Sequence, residues 1–513
     1  MKPRLKTFFG GAVAMAVVLL ALYAAASLMP IITYPPARVA AVFIALTPGD
    51  FATAMIERLG HGAIRGLSVA MNLGAIALGG AGALFAARAP TASSKAKRSL
   101  GAGAALFVLA VILNITSPEG WSFAATGAYA LAGYFFARMI AATPLMAAFE
   151  PEVKGEETPL DAIQRSRRKF VVRAATLVGG IVVGGGAFLR MASRRTGELL
   201  GIVSAGKPFQ SPAGDPAFPI VEGLSLEITP NDSFYNVDIN IVKPSVDSMT
   251  WRLKVHGLVS SPFELDYRQL QTDFEVVEMA HTLTCISNEV GGDLISTAVW
   301  RGVRLKDVLA RAGLQAGVVD LVFRAAEGYS DSIPLAKGLE ETTLVVFGMN
   351  GVALPRAHGF PARIIVPGIY GMKNVKWLTE IEAVDHDYQG YWMVRGWSDV
   401  ARIKTESRID VPSHSARVAL PAMLAGVAWA GDRGVLRVEV SEDQKTWRPA
   451  LMKRELSPVA WRLWAADIEP GSGTKQVYVR AVDGAGDVQT SRTTKPHPDG
   501  ASGYDSVVFE LGT

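Results

Sequence analysis

Cysteine is almost absent from this chain: Cys285 is the one cysteine among 513 residues. A single thiol cannot close an internal disulfide, and it cannot build a zinc or iron–sulfur site that needs four cysteines. In most proteins a lone cysteine is a small buried hydrophobic residue. The alternative is a metal ligand that other donors complement, and the residues around Cys285 decide between these two interpretations.

Histidine is scarce in the first half of the chain, where His61 is the only histidine before His256. Modules that bind haem b hold the iron between paired histidines of facing helices, and the sequence offers His61 no such pair. Asn72 and Arg138 are the conspicuous polar residues of this half, and Arg138 stands where its long side chain can reach a membrane interface. This half therefore indicates an anchor or docking platform without redox chemistry.

Charge is sparse over residues 1–190, and long apolar runs replace it. Hydrophobic residues make up 50% of the chain and the mean hydropathy is +0.25, which is too apolar for an ordinary soluble protein. The runs predict five membrane spans, because each is about long enough to cross a bilayer. These spans are residues 8–29, 66–87, 99–116, 121–143 and 171–189. A shorter run at 39–46 is expected to lie in the interface or to re-enter.

Lysine and arginine set the predicted orientation. They cluster before the first span and in the second and fourth loops, whereas residues 117–120 contain none. Basic loops stay in the cytoplasm, so the large C-terminal part is expected outside it, although arginines in the 30–65 loop count against this. A cleaved signal peptide is the alternative for 8–29, but the later apolar runs favour an anchor. The predicted location is a bacterial inner membrane, crossed several times, with the C-terminal part on the periplasmic side.

The surroundings of Cys285 belong to an ordered set of motifs in the second half of the chain. The set comprises the segments 226–236, 280–288, 299–309, 349–351, 358–368 and 375–378. In this order and with this spacing, residues 225–513 resemble the sulfite oxidase superfamily. The resemblance implies an enzyme in which the thiolate of Cys285 ligates a molybdenum ion carried by molybdopterin.

The residue types suit that cofactor. Molybdenum in a high oxidation state prefers soft sulfur donors; the pterin supplies two, Cys285 would supply the third, and one protein ligand is enough. The resemblance assigns three residues to the pterin and its phosphate, which requires cationic and amide donors. They are His358, Arg363 and Lys376, with Asn236, Asn374 and the backbone of 371–376 as weaker candidates.

Each of these assignments has a structural alternative. His358 could be a turn residue, Arg363 could pair with a nearby carboxylate, and Lys376 could occupy a solvated strand position. Asn288, three residues after Cys285, either hydrogen-bonds near the thiolate or holds a turn.

The chain departs from sulfite oxidases directly after the cysteine. Those enzymes continue Ala-Gly-Asn-Arg-Arg, whereas residues 286–290 here read Ile-Ser-Asn-Glu-Val. An anionic substrate would meet an unfavourable field at Glu289, so a neutral sulfoxide or N-oxide is the expected oxo donor. Sulfite oxidation and a non-catalytic membrane-tethered binding protein are the alternatives. Tyr388 or Tyr391 is expected as a proton donor near the metal, with an aromatic core pair as the other interpretation.

Arg167 and Arg168 stand in the segment Ser-Arg-Arg-Lys-Phe-Val at 166–171, directly before the last predicted span. The segment resembles a twin-arginine export signal, although such signals normally begin a chain. A plain positive-inside cluster is the alternative. Two observations favour export: the following run, 177–186, is glycine-rich and only moderately apolar, and a cofactor-loaded domain is best exported already folded.

The expected architecture is multidomain. Residues 1–190 form an α-helical membrane bundle, 191–224 a linker, 225–410 an α+β molybdopterin domain, and 411–513 an all-β immunoglobulin-like sandwich resembling the family's dimerisation domain. In the α+β domain we predict strands in 251–259 and 363–367 and a helix over 303–312. In the sandwich we predict strands in 435–440 and 476–481 and a hairpin-type turn at 483–487. The expected partners are a small oxo-donor or oxo-acceptor substrate, an unidentified electron-transfer partner, membrane lipid and, if the dimerisation role carries over, a second copy of the chain. A nucleic-acid partner is not expected.

Overall fold

The structure is a computed structural model that describes residues 3–28, 34–46, 62–89, 91–115, 123–141, 215–240 and 243–512. Two compact units divide the chain: Met1–Glu198 with Ile239–Ser245, and Leu199–Asp238 with Val246–Thr513. The predicted fifth span, the Arg167–Arg168 pair and most of the predicted linker lie outside the described residues.

The described part of the first unit is helical. Its helices are α1 (Pro3–Leu28), α2 (Pro35–Leu46), α3 (Gly62–Ala87), α4 (Ala92–Ile115) and α5 (Phe123–Ala141). Helix α1 packs on α3, and α4 on α5. Glycines permit the close approach: a Cβ at Gly11 would meet the carbonyl of Gly79, and one at Gly103 that of Gly133. Small residues at helix contacts are typical of membrane bundles.

One described helix segment, Gly66–Ala87 of α3, is long and apolar enough to cross a bilayer by length and composition. The apolar stretch Thr7–Tyr23 of α1 is shorter. The short run at 39–46 forms the second part of α2. The helices thus follow the predicted apolar runs, while the five-span bundle stays a prediction.

The second unit begins with a mixed α+β domain, as predicted. Its strands are β1 (Leu253–Gly257), β2 (Phe263–Leu265), β3 (Val276–Thr284), β4 (Ile295–Arg304), β5 (Asp320–Ala325), β6 (Ser330–Pro334), β7 (Leu344–Met349), β8 (Val352–Ala353), β9 (Arg363–Ile365) and β10 (Leu378–Val384). Helices α6 (Tyr267–Thr272), α7 (Leu305–Ala312) and α8 (Leu335–Gly338) connect them. One sheet has the order β2-β1-β10-β5-β6, and the other β3-β4-β7-β8 with β9 beside β7.

Helix α7 confirms the helical spacing over most of 303–312, but it begins at Leu305, because Val303 and Arg304 are the last residues of strand β4. Leu305, Val308, Leu309 and Ala312 recur at the spacing of one helix face, and all four are buried. Gly313 ends the helix in the left-handed conformation, at φ 67°, which glycine adopts at little cost. The predicted strands near 251–259 and 363–367 are confirmed as β1 and the buried β9.

The C-terminal part is a β-sandwich, as predicted. Its strands are β11 (Glu406–Val411), β12 (Arg417–Val418), β13 (Met423–Trp429), β14 (Val435–Ser441), β15 (Arg448–Pro449), β16 (Leu451–Met452), β17 (Arg462–Asp467), β18 (Gly473–Asp483) and β19 (Asp505–Leu511). The sheet β11-β13-β17-β16 faces the sheet β12-β19-β18-β14-β15 across a core containing Trp464, Val479 and Phe509. Because β11 begins at Glu406, the sandwich starts a few residues before 411.

The sandwich contacts strand β3, which ends directly before Cys285. The amide of Thr282 donates to the carbonyl of Val459 at 3.1 Å, and the Thr282 hydroxyl accepts from the amide of Trp461 at 2.8 Å. Alternate residues of a strand point to opposite sides, so Thr284 points the same way as Thr282. The end of β3 therefore lies at the seam between the two domains.

Candidate functional site

Cys285 follows β3 directly and opens a closed loop over residues 285–294. Its carbonyl accepts from the amide of Asn288 at 3.0 Å, and its amide donates to the carbonyl of Leu294 at 3.0 Å. The side-chain oxygen of Asn288 accepts from the Leu294 amide at 2.9 Å. Asn288 therefore holds the turn, which was one of its two sequence interpretations.

The Cys285 side chain is buried, with 8% of its surface exposed, and Sγ lies 3.0 Å from the hydroxyl oxygen of Ser287. Burial raises the pKa of the Cys285 thiol, while the Ser287 hydrogen bonds and the positive charge of Lys376 lower it. An isolated thiol in this place stays protonated. A bound cation would favour the thiolate, because the thiolate is the form that ligates metals.

Arg363 lies at the start of β9 and is buried. One guanidinium nitrogen, Nη1, donates to the carbonyl of His358 at 3.2 Å, and Nη2 donates to that of Asn374 at 3.0 Å. Its Nε has no hydrogen-bond partner among the described residues. The guanidinium stacks over the ring of Trp300, 5.2 Å from its centroid, and burial lowers the pKa of Arg363 to about 10.

A buried arginine normally pairs with a carboxylate. Within the described ranges no carboxylate forms an ion pair with Arg363, and its hydrogen-bond acceptors are the carbonyl oxygens of His358 and Asn374. Among these residues the structure therefore does not show Arg363 paired with a carboxylate, which was its alternative interpretation. A guanidinium that has no carboxylate partner and keeps one N–H without an acceptor among the described residues is the arrangement expected at an anion-binding site.

Lys376, Asn236 and Ala357 form a second cluster. The ammonium of Lys376 donates to the side-chain oxygen of Asn236 at 2.9 Å, to the carboxylate of Asp238 at 3.3 Å and to the carbonyl of Ala357 at 3.2 Å. The Asn236 amide donates to the same carbonyl at 2.9 Å. Lys376 is therefore held by three hydrogen bonds on one side of the site and does not occupy a solvated strand position.

His358 ends a short 3-10 turn, Arg356–His358, and is buried. Its Nε2 lies 2.9 Å from the carbonyl oxygen of Asn231 in the opening motif. The next residue, Gly359, has φ 114°, and a Cβ there would come within 3.0 Å of the Lys376 Cβ and 3.2 Å of the Arg363 Cβ. Glycine at this position therefore brings all three predicted cofactor-binding residues together.

Asn374 has a positioning role in the loop 366–374. Its oxygen accepts from the Val366 amide at 2.7 Å, and its nitrogen donates to the carbonyls of Ile369 and Tyr370 at 3.3 and 3.2 Å. The amide is thus occupied by the backbone of its own loop. The same loop approaches Cys285, since a Cβ at Gly371 would lie 3.3 Å from the Thr284 carbonyl oxygen.

Tyr388 and Tyr391 do not hydrogen-bond to Cys285. The Tyr388 hydroxyl lies 2.8 Å from the Ser330 hydroxyl and accepts from Arg324 at 3.3 Å. The Tyr391 ring packs on Tyr329, at 5.5 Å between centroids, and under the Arg395 guanidinium. For Tyr391 the structure shows the aromatic packing that was its alternative interpretation.

Two other tyrosines, Tyr235 and Tyr370, interact electrostatically with the Cys285 thiol. Burial raises the pKa of Tyr235 well above its usual value, and the charge of Cys285 adds to this. Burial likewise raises the pKa of Tyr370, with smaller contributions from Glu406 and Cys285. Tyr235 lies within the opening motif, so that motif was the available signal, but an aromatic residue there is equally typical of a core.

Comparison with known proteins agrees with this geometry. Residues 240–392 match the family described as the oxidoreductase molybdopterin binding domain, and residues 398–496 match the Mo-co oxidoreductase dimerisation domain. The chain is therefore a molybdopterin-dependent oxidoreductase, and its cofactor is molybdenum-molybdopterin.

Three named proteins are similar to this chain. The chain is 30% identical to sulfite oxidase of Gallus gallus over 341 residues, covering 56% of this chain and 72% of that one. It is 32% identical to mitochondrial sulfite oxidase of Homo sapiens, covering 51% and 57%. Nitrate reductase [NAD(P)H] of Hordeum vulgare is 29% identical, covering 48% and 35%. The chain belongs to the sulfite oxidase family, and it spans only part of each of these relatives.

The residues present fit the cofactor. The buried Arg363 Nε, which has no partner among the described residues, the cationic Lys376 and the soft donor of Cys285 are the donor types that a dithiolene-bound metal and a pterin phosphate require. Within the described residues no group of three or more His, Cys, Asp or Glu is placed to hold a metal ion. A single thiol that completes a metal brought by the pterin is consistent with this.

Proposed function

We propose that the protein is a membrane-anchored enzyme that reduces a neutral oxo donor, such as a sulfoxide or an N-oxide, at a molybdenum ligated by Cys285. When bound, the molybdenum cofactor would supply the chemistry of two-electron oxygen-atom transfer. Overall, the sulfoxide takes up two electrons and two protons and yields a sulfide and water. The observation that carries the proposal is the buried Cys285 in its closed loop, on the side of the domain that holds Lys376 and Arg363.

In this proposal the protein residues bind and orient. Arg363 and Lys376 provide positive charge for the pterin phosphate, and His358 fixes the turn between them. Asn236 orients Lys376, and Asn374 holds the loop that faces Thr284. Rigid placement of such groups is what makes a bound metal reactive in one geometry.

The substrate class follows from negative charge near the thiol. Glu289 is exposed in the Cys285 loop, four residues after the thiol. Sulfite oxidases have two arginines where this chain has Glu289 and Val290. A doubly charged oxyanion would be repelled where those arginines would attract it, whereas a neutral sulfoxide would not.

Sulfite oxidation is the second candidate, because the relatives named above include sulfite oxidases. A screen of oxo donors and acceptors with an artificial electron carrier tests both functions in one experiment. Turnover of sulfoxides or N-oxides supports the first proposal, and turnover of sulfite alone overturns it. Purified protein without molybdenum would instead support a non-catalytic binding protein.

Glu289→Arg is expected to make the site more favourable for sulfite. The substitution replaces a negative by a positive charge at an exposed position, so the KM for sulfite should fall about tenfold. The kcat/KM for a neutral sulfoxide should hardly change. Asp385→Arg makes the same change in charge at another exposed position and should leave the KM for sulfite unaltered. Equal effects of the two variants would contradict a local role of Glu289.

Export of the catalytic part is tested through Arg167 and Arg168, which lie outside the described residues. Replacing both by Lys preserves the charge, so the orientation of the earlier spans should persist. A receptor that reads guanidinium geometry should reject the variant, and the catalytic domain should stay in the cytoplasm. Protease added to spheroplasts should then digest the wild-type domain and spare the variant. Equal digestion would show that the pair is a charge cluster only.

A further inference from the structure

Strand β11 of the sandwich runs alongside the Cys285 loop. Glu406 and Arg408 point to one side of it, as alternate residues of a strand do, and Ser407 points to the other side, where it donates to Gln489 at 2.7 Å. Arg408 donates to the carbonyl of Gly292 at 2.9 Å. Two neighbouring side chains of β11 thus contact the loop 285–294, one near its start and one near its end.

Glu406 contacts the residues on either side of the thiol. One carboxylate oxygen accepts from the Thr284 hydroxyl at 3.0 Å, and the other lies 3.5 Å from the side-chain nitrogen of Asn288. Asn288 in turn holds the turn through Leu294. A single carboxylate from the sandwich therefore spans the loop in which Cys285 sits.

We propose that Glu406 is a positioning residue of the metal site, which fixes the Cys285 loop by bridging Thr284 and Asn288. The inference rests on the proposed role of Cys285 as the metal ligand. A carboxylate presents a separate accepting oxygen to each donor, whereas an amide has one accepting oxygen and an apolar side chain has none. Displacement of a ligand by a fraction of an ångström changes a reaction rate strongly, so the bridge affects the rate of oxo transfer.

The charge state of Glu406 decides whether the bridge is complete. Burial raises the pKa of Glu406 to about 7, and the hydrogen bonds from Thr284 and Asn288 and the charge of Arg408 counteract it. The other titratable groups around it are Tyr235, Tyr370 and the Cys285 thiol, which titrate higher. Protonation places a hydrogen on one of the two accepting oxygens, so the bridge is complete above about pH 7 and weakened below it.

Glu406→Gln in the full-length holoenzyme tests the proposal, because the amide is isosteric and accepts at one end only. The molybdenum content should match that of the wild type, and kcat should fall about tenfold to hundredfold at pH 8. In the wild type the Mo(V) electron paramagnetic resonance signal and kcat should both change between about pH 6 and 8, around the pKa of Glu406. Both changes should disappear in the variant.

Glu439→Gln is the matched control, since Glu439 is paired with Arg437 and Arg480 inside the sandwich. It should keep the wild-type kcat and resonance profile. Thermal unfolding separates positioning from folding. The pKa of Glu406 is raised in the native state, so its ionisation makes the wild type less stable as pH rises through that range. Glu406→Gln cannot ionise, and it should therefore unfold at an equal or higher temperature than the wild type at pH 8.

Retention of the wild-type pH dependence in Glu406→Gln would overturn the proposal, as would identical effects of Glu439→Gln. The resonance signal needs no substrate, so it reports on Glu406 even if the sulfoxide assignment fails. Loss of molybdenum from Cys285→Ser, together with an unchanged signal in Glu406→Gln, would leave the metal ligand supported and the positioning role refuted.

Discussion

Cys285→Ser should fold and yet lose oxo-transfer activity by more than about a hundredfold. Changes in residues that merely support metal ligands cost about ten- to a hundredfold, so loss of the ligand itself should exceed that. Serine is nearly isosteric with cysteine, but an alkoxide is a harder donor and a poorer partner for molybdenum than a thiolate. Turnover with an artificial electron carrier, together with molybdenum and pterin content, measures the effect.

Ser287→Ala is the control for this variant, because it removes the hydroxyl 3.0 Å from the sulfur and preserves the ligand. Its activity should lie between those of the wild type and Cys285→Ser. Wild-type turnover by Cys285→Ser would contradict the ligand assignment, whatever the substrate proves to be.

Arg363→Ala should lower the molybdopterin content of the purified protein. A hydrogen bond to a charged group contributes about 1.5–3 kcal/mol, which corresponds to about ten- to a hundredfold in affinity. The buried guanidinium has an Nε without a partner among the described residues, so a phosphate bound there would add a hydrogen bond that these residues do not already supply. Arg363→Lys retains the charge without the planar fork and should give an intermediate content.

Arg301→Ala distinguishes this effect from the general cost of removing a buried arginine. Arg301 pairs with Glu278 at 3.2 Å, and both side chains are largely buried. Its loss should lower the unfolding temperature by removing the largely buried ion pair with Glu278, while the cofactor content per folded molecule stays near that of the wild type. Full cofactor content in Arg363→Ala would remove Arg363 from the cofactor site.

Local patterns predicted much of the fold of the second unit. The spacing over 303–312 predicted α7 because its apolar residues share one helix face. The alternation at 435–440 predicted β14, in which Val438 and Val440 enter the sandwich core while Leu436 is exposed. These signals depend on near neighbours in the chain. The position of β10 between β1 and β5 has no comparable local signal, since these pairings join strands that are far apart in sequence.

The proton-donor role of Tyr388 and Tyr391 stays a prediction, and their contacts were not visible in the sequence. Tyr388 and Tyr391 follow β10 at the end of the domain, and their hydroxyl and ring contacts are with Ser330, Arg324, Tyr329 and Arg395. The tyrosines coupled to the thiol are Tyr235 and Tyr370, which come from two other segments. Only the folded chain decides which of several tyrosines lies near a buried sulfur.

The sequence by itself predicted the chemistry: Cys285 as the one soft donor, and His358, Arg363 and Lys376, in the order of the family, as the residues for the pterin and its phosphate. Residue type decides which atoms a metal and a phosphate accept, and short motifs preserve the spacing. The tertiary structure decided that Glu406 meets Thr284, 122 residues earlier in the chain. That contact exists because the sandwich docks on β3, and the docking depends on buried surfaces and on register between strands, which no local periodicity records.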